Sequence, residues 1–334
     1  MRQVLFRQDT LGTSCFLTSR VEGVDFERRF IAACETFSER LFELDQVASR
    51  FRQDSEVMRL SAENAGEPVS VSELLFDLVE AAMRAATITD GYLDPTVGNS
   101  MVGLGYSKDF ELVRRDSADG MHFQVVLPSG YRTLVLDRVT RSISVPPGTI
   151  LDLGATAKAL VADRICAELE HLYSLACLIN HGGDISCSYV GQEFPWMVNL
   201  TSDGSLDPTS DGMLFGIAGG GLATSSVHSR NWLAGGKSHH HIIDPTNGES
   251  AVVDFESITV LAGSALDANI ASCGTVAMGH RGLVWLRGMG LPAVVKRTNR
   301  TQMDGIARPW NGSELEFIGD WPEELVQLSG GVAC

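Results

Sequence analysis

Phe26, Phe30, Ala33, Phe37, Leu41 and Leu44 recur every three or four residues, a period that an α-helix turns into one apolar face. The spacing predicts a helix over roughly 25–48, and such a stripe commits the chain to a packed, layered fold. A second helix is expected from "SVSELLFDLVEAAMRAAT", where Ser70 and Glu73 fit a capping box and Asp90-Gly91 ends the pattern. Short strands with turns are expected between about 121 and 146, as in "MHFQVVLP" and "RTLVLD". A third helix covers roughly 156–171 and leads into the apolar strand "LACLIN". "SITVLAG" reads as another strand, "DANIASCGTVAMG" as a helix and "AVVKRTN" as a late strand. This order has no regular βαβ alternation. The expected fold class is therefore α+β, with mixed, mostly antiparallel sheets and packed helices, not a doubly wound sheet.

The chain has 334 residues and no repeat, low-complexity block or linker. That length suits one large domain or two fused lobes, and residues 1–334 are read as a single domain. Forty-two acidic residues against 26 basic ones give a net charge of −16. Such a field repels nucleic acid and anionic membranes. An anionic ligand then needs local help from a lysine, a helix N-terminus or a divalent cation.

The seven cysteines (Cys15, Cys34, Cys166, Cys177, Cys187, Cys273 and Cys334) are odd in number and contain no C-x-x-C. They read as reduced, mostly buried thiols. "MRQVLFRQDTLGTS" lacks the apolar core of a signal peptide, and no apolar run reaches membrane-spanning length. The expected location is cytoplasmic, without membrane insertion.

"SHHHIIDPTNGES" puts three histidines before an Ile-Ile-Asp-Pro turn. Metal-binding helices space histidines three or four apart, whereas an extended segment would put His239 and His241 on one face and His240 on the other. Local spacing favours three polar residues at a strand end over a metal site or a catalytic base. "ILDLGATAKALVADRI" places Asp152 before a glycine turn and Lys158 in the first turn of a helix. That start suits a phosphate, but a capped helix with a surface lysine explains it as well. In "CLINHGGDIS", His181-Gly182-Gly183-Asp184 ends an apolar strand. Its glycines permit either a close ligand or a tight turn. "GGGLATSS" reads by itself as a turn.

In order, the chain carries "TLGTS", "ASRFRQDSEVMRLS", "DGYLDPTVG", "LDLGATAKALVAD", "LINHGGDIS", "LATSS", "HHHIIDPTNG" and "SITVLAGSALDANIASCGTVAMG". Each piece is weak, but the series, from about Leu11 to Gly279, resembles the ApbE family of FAD:protein FMN transferases. The resemblance implies an ApbE-like, T-fold-like architecture. It also implies FAD as substrate, Mg²⁺ holding the pyrophosphate, and transfer of FMN to a threonine of an acceptor flavoprotein with release of AMP. Leu11 stands where the family usually has methionine, and Phe51 where tyrosine is frequent. Tyr92, Leu93 and Asp94 match a stretch lining the FAD site, and Asp152 and Lys158 match FAD contacts. The carbonyl of Ala155 matches a backbone metal ligand. His241-Ile242-Ile243-Asp244-Pro245 matches a family signature, which makes His241 a site residue and leaves His239 and His240 as bystanders.

One departure bears on the metal. Counting back from Gly279, Asn269 and Cys273 stand where the family carries an aspartate and a threonine as Mg²⁺ ligands. The i, i+4 spacing keeps them on one helix face. An amide is a neutral ligand, though, and a thiol a soft one, so Mn²⁺ is an alternative ion. Asp267 is a possible substitute, about 200° away around the helix. The resemblance thus implies a flavinyltransferase in which Lys158 and the metal neutralise the pyrophosphate and His241 accepts a proton or orients the diphosphate. An FAD pyrophosphatase yielding FMN and AMP, or a non-catalytic flavin carrier with a degraded metal site, are the alternatives. A zinc hydrolase on the triple histidine lacks the accompanying acid–histidine helix motif.

Overall fold

The computed structural model describes residues 2–63, 66–108, 110, 124–191, 193–201, 210, 212–234, 236–297, 307–310, 313–322 and 324–327. Met121, His122 and Phe123 of the expected strand, Thr298 and Asn299 of "AVVKRTN", and Cys334 lie outside them.

Its frame is one nine-stranded sheet. In chain order the strands are β1 (Gln3–Thr10), β2 (Thr13–Arg20), β3 (Cys177–His181), β4 (Asp184–Cys187), β5 (Gly220–Ser226), β6 (Ser257–Ala262), β7 (Ala293–Arg297), β8 (Ala307–Trp310) and β9 (Ser313–Ile318). They lie in the order β1-β2-β3-β4-β5-β6-β7-β9-β8. Every pairing is antiparallel. The helices are α1 (Phe26–Ala48), α2 (Glu56–Glu63), α3 (Glu73–Ile88), α4 (Gly98–Gly103), α5 (Ala157–Tyr173), α6 (Ala265–Ala277) and α7 (Gly282–Met289).

The apolar stripe of α1 has the role its spacing implies: Phe37, Leu41 and Leu44 are fully buried in a core shared with α3, α5 and the strands around Leu17 and Ile179. Arg40 holds α1 to α5 through a forked ion pair with Glu168, at 2.9 and 2.7 Å. Alternate residues of β3 face opposite ways. Cys177 and Ile179 meet the helices, while Leu178 packs with Trp196 and Phe215. Those two belong to a three-stranded sheet (Trp196–Thr201, Gly212–Ile217, Glu324–Gln327).

Three local expectations change. The cap of α3 is Ser72, whose hydroxyl accepts from the Leu75 N–H at 3.1 Å. Glu56 of α2, not Glu73, accepts the Ser72 backbone N–H at 2.7 Å. Ser70 is instead paired in a short ladder with Ser142, so a partner distant in sequence takes over half of the capping box. "MHFQVVLP" forms no strand over 124–128; the Gln124 N–H serves the carbonyl of Gly103 at the end of α4. "GGGLATSS" is a central strand, not a turn. A Cβ on Gly221 would lie 2.0 Å from the backbone nitrogen of Ala265, so this glycine lets α6 start directly against β5.

Candidate active site

Two hairpins end side by side at the rim of a cavity of about 470 Å³. Leu11-Gly12 turns β1 into β2, and Leu11 takes φ 48, unusual for a branched side chain. Gly182-Gly183 turns β3 into β4, both with positive φ. This is the geometry a two-residue hairpin loop demands, and it sets Asp184 opposite His181. The glycines of "HGGD" thus form the tight turn, and Gly182 also lines the cavity.

The first turn of α5 supplies Lys158. Thr156 makes no side-chain cap, leaving the positive end of the helix dipole toward the cavity. The Lys158 ammonium donates to the carbonyl of Gly154 at 2.8 Å and lies 3.9 Å from Asp184 Oδ2. Asp152 accepts the Gly154 N–H at 2.9 Å and an Arg50 Nε–H at 2.7 Å. Arg50 also donates to the carbonyl of Tyr106 at 2.7 Å and stacks on Phe51, 4.6 Å from its ring centroid. Its Nη2 is buried with no hydrogen-bond partner, a donor left over for a ligand.

Asp94 lines the cavity, but its carboxylate accepts from Thr96 N, Thr96 Oγ1 and Tyr131 N, all within the protein. What it provides is the shape of the loop that carries Tyr92 and Leu93.

The three histidines part company. His239 stacks with Trp232, ring centroids 6.2 Å apart. His240 bonds the carbonyl of Ala251 through Nε2 at 2.8 Å and accepts the Ile242 N–H at Nδ1. His241 alone lines the cavity, beside Ile242 and Arg230, and its Nδ1 is buried without a partner. Burial, then the Arg230 guanidinium, holds its imidazole well below the ordinary histidine range. It is therefore neutral at neutral pH, with a lone pair to offer, but a weaker base than an unperturbed histidine.

Helix α6 forms the far wall. Every residue in it except Asp267 is buried, as expected of a helix apolar on all sides. Ser264 accepts the Asp267 N–H, and Asp163 of α5 accepts those of Ala265 and Leu266. Asn269 and Cys273 face the cavity from this helix. Burial pushes the Cys273 thiol up to about 12, so it stays protonated. Asp267 points away and pairs with Arg84 at 2.6 Å, which removes it as a substitute ligand.

Every expected residue lines this one cavity: Leu11, Phe51, Tyr92, Leu93, Asp94, Asp152, Ala155, Lys158, His241, Ile242, Asn269 and Cys273. Arg50, Asp184 and Arg230 line it too and escaped the sequence reading. Arg50 and Asp184 stand inside quoted motifs, so their position beside matched residues was the available signal. A second hollow of about 620 Å³ lies between the large sheet and the three-stranded sheet, lined by residues such as Val4, Phe16, Leu178, Trp196 and Phe215, and contains none of the expected residues. Among the described residues no cluster of three or more His, Cys, Asp or Glu side chains is placed to hold a metal. His239, His240 and His241 each face a different environment and are not gathered into such a cluster. No helix among them is long and apolar enough to cross a membrane.

The model of the ApbE family matches residues 11–295. The FAD:protein FMN transferase of Escherichia coli (strain K12) is 26% identical over 281 residues, covering 81% of this chain and 77% of that protein. A protein of the same name from Klebsiella pneumoniae (strain 342) is 29% identical over 246 residues, covering 71% and 73%. In fold, the chain is similar to the flavin transferase ApbE from Vibrio cholerae, with TM-score 0.73 and 22% identity over 95% of this chain and 97% of that one. It is also similar to the ApbE protein from Thermotoga maritima, with TM-score 0.72 and 24% identity over 88% and 94%.

Proposed function

The chain belongs to the ApbE family, and from that membership we propose that it is an FAD:protein FMN transferase. FAD is its substrate, a threonine of an acceptor flavoprotein receives FMN, and AMP leaves. The observation that carries this reading is the convergence of Arg50, Lys158 and Arg230 on one cavity in a chain of net charge −16. Cations gathered against the overall field suit a dianionic pyrophosphate, while Phe51, Tyr92 and Ile242 supply flat and apolar contact for a ring system.

The acceptor hydroxyl attacks the phosphorus nearest the riboflavin, the bond from that phosphorus to the bridging oxygen breaks, and AMP carries the electron pair away. His241 takes the hydroxyl proton, because its neutral imidazole has an unpartnered nitrogen at the cavity wall. Lys158 and Arg50 offset the charge that develops on the pyrophosphate oxygens. Mg²⁺, or Mn²⁺ in its place, fits the oxygen donors at hand: the Ala155 carbonyl, the Asn269 amide and a buried carboxylate oxygen of Asp184 that has no hydrogen-bond partner. The protonated Cys273 thiol is the poor member of that set. When bound, the ion neutralises diphosphate charge.

We read residues 1–334 as one catalytic unit, since the cavity draws on residues from Leu11 to Cys273. A cytoplasmic location is supported by free thiols at Cys15, Cys34, Cys166, Cys177, Cys187 and Cys273.

The test is incubation with FAD, Mg²⁺ and a threonine-bearing acceptor, following AMP and protein-bound flavin. Both should appear in equal amounts. AMP without bound flavin would make the protein an FAD pyrophosphatase, and FAD retained intact would make it a carrier.

A further inference from the structure

Helix α6 lacks the carboxylate expected at position 269, and its one acid, Asp267, is engaged with Arg84 outside the cavity. The cavity nevertheless holds another buried acid facing the same helix. Asp184 follows the Gly182-Gly183 turn, its side chain only 6% exposed. Its Oδ2 has no hydrogen-bond partner. Lys158 is 3.9 Å away, too far for a hydrogen bond, and spends its short contact on the Gly154 carbonyl. Asn269 lines the same cavity from α6. Its amide oxygen is a neutral ligand that a cation can use.

The Lys158 ammonium offsets the charge of this carboxylate from 3.9 Å without donating to it, which leaves the oxygen open to a closer cation. An aspartate at 269 would add a second carboxylate to the same cavity, and an asparagine avoids that repulsion. In this chain the buried anionic donor facing the cavity therefore comes from the hairpin and not from the helix.

We propose that in this chain Asp184 is the anionic ligand of the catalytic divalent cation, taking the place of the carboxylate missing at Asn269, with the Asn269 and Ala155 oxygens as neutral ligands. The inference rests on the transferase reading for the presence of FAD and a metal. Asp184 carries the charge from across the cavity, and the Cys273 thiol is dispensable to binding.

The experiment is a Mn²⁺ titration followed by electron paramagnetic resonance, on the full chain with FAD and without acceptor. FAD affinity is measured in parallel with chelator present. Asp184→Asn should weaken Mn²⁺ by at least about tenfold, since ligand charge is a main determinant of affinity for hard cations. FAD affinity in chelator should hold or tighten. Asp184→Asn with Asn269→Asp should recover most of the lost Mn²⁺ affinity. Asn269→Asp alone should bind Mn²⁺ more tightly than wild type, which keeps a readout if Asp184→Asn fails to fold. If wild type binds FAD and Mn²⁺ while Asp184→Asn keeps its Mn²⁺, Asp184 only positions Lys158 and the inference falls alone. If Asn269→Asp brings no gain, it falls as well. If wild type binds neither FAD nor Mn²⁺, the transferase reading falls with it.

Discussion

At residue scale, the imidazole of His241 and the ammonium of Lys158 face one space but are held differently. Lys158 is tethered to Gly154 at 2.8 Å, so its charge is placed before any ligand arrives. Lys158→Ala should weaken FAD by about 1.5–3 kcal/mol, the range for a hydrogen bond to a charged group. Calorimetry showing unchanged affinity would return Lys158 to a structural role. His241→Ala should keep most FAD binding and lose about 10²–10⁴ in transfer rate. Because burial and Arg230 lower the His241 pKa, the base form persists as pH falls below 6.5. The acid limb of kcat/KM, which reports the free enzyme, should therefore lie below the usual histidine value. An acid limb above 6.5 would mean that another group accepts the proton.

At the scale of elements, α6 depends on its capping. Two acceptors from α5, the oxygens of Asp163, take its first N–H groups at 2.8 and 2.9 Å, and Ser264 takes a third. Asp163→Ala should cost about 1–2 kcal/mol in urea denaturation, at the upper end for a lost cap. If Ser264→Ala costs the same and Asp163→Ala nothing, the local hydroxyl carries the helix start. On the opposite side of the core, Leu41→Ala should cost about 2–5 kcal/mol, because Leu41 is fully buried between layers. A cost well under that range would mean that the α1 stripe collapses into the space.

For the whole molecule, the cavity joins hairpin ends, two helices and the loop around His241, so a ligand there ties distant parts of the chain together. FAD at a hundred times its Kd should add about 2.7 kcal/mol to global stability and raise Tm accordingly. Riboflavin at equal concentration should do much less, since it offers Arg50, Lys158 and Arg230 no phosphate. Equal shifts from both would move the binding energy to the ring system.

What the sequence by itself determined is the long helices and which residues gather around one cavity. The period of Phe26 to Leu44 selects a helix and its buried face through side-chain geometry alone. The ordered motifs assemble residues from Leu11 to Cys273 that do line one cavity. Tertiary structure decided the roles that depend on a partner far along the chain. Ser72 caps α3 because Glu56 reaches it, and Gly221 belongs to a strand because α6 starts against it. Asp94 turns inward because Tyr131 and Thr96 take its oxygens. Arg50 enters the site by bonding Asp152, and Asp184 shares a cavity with Asn269 only when the β3–β4 hairpin packs on α6. Periodicity is a property of neighbours in sequence, whereas hydrogen-bond partners and buried charge are set by neighbours in space.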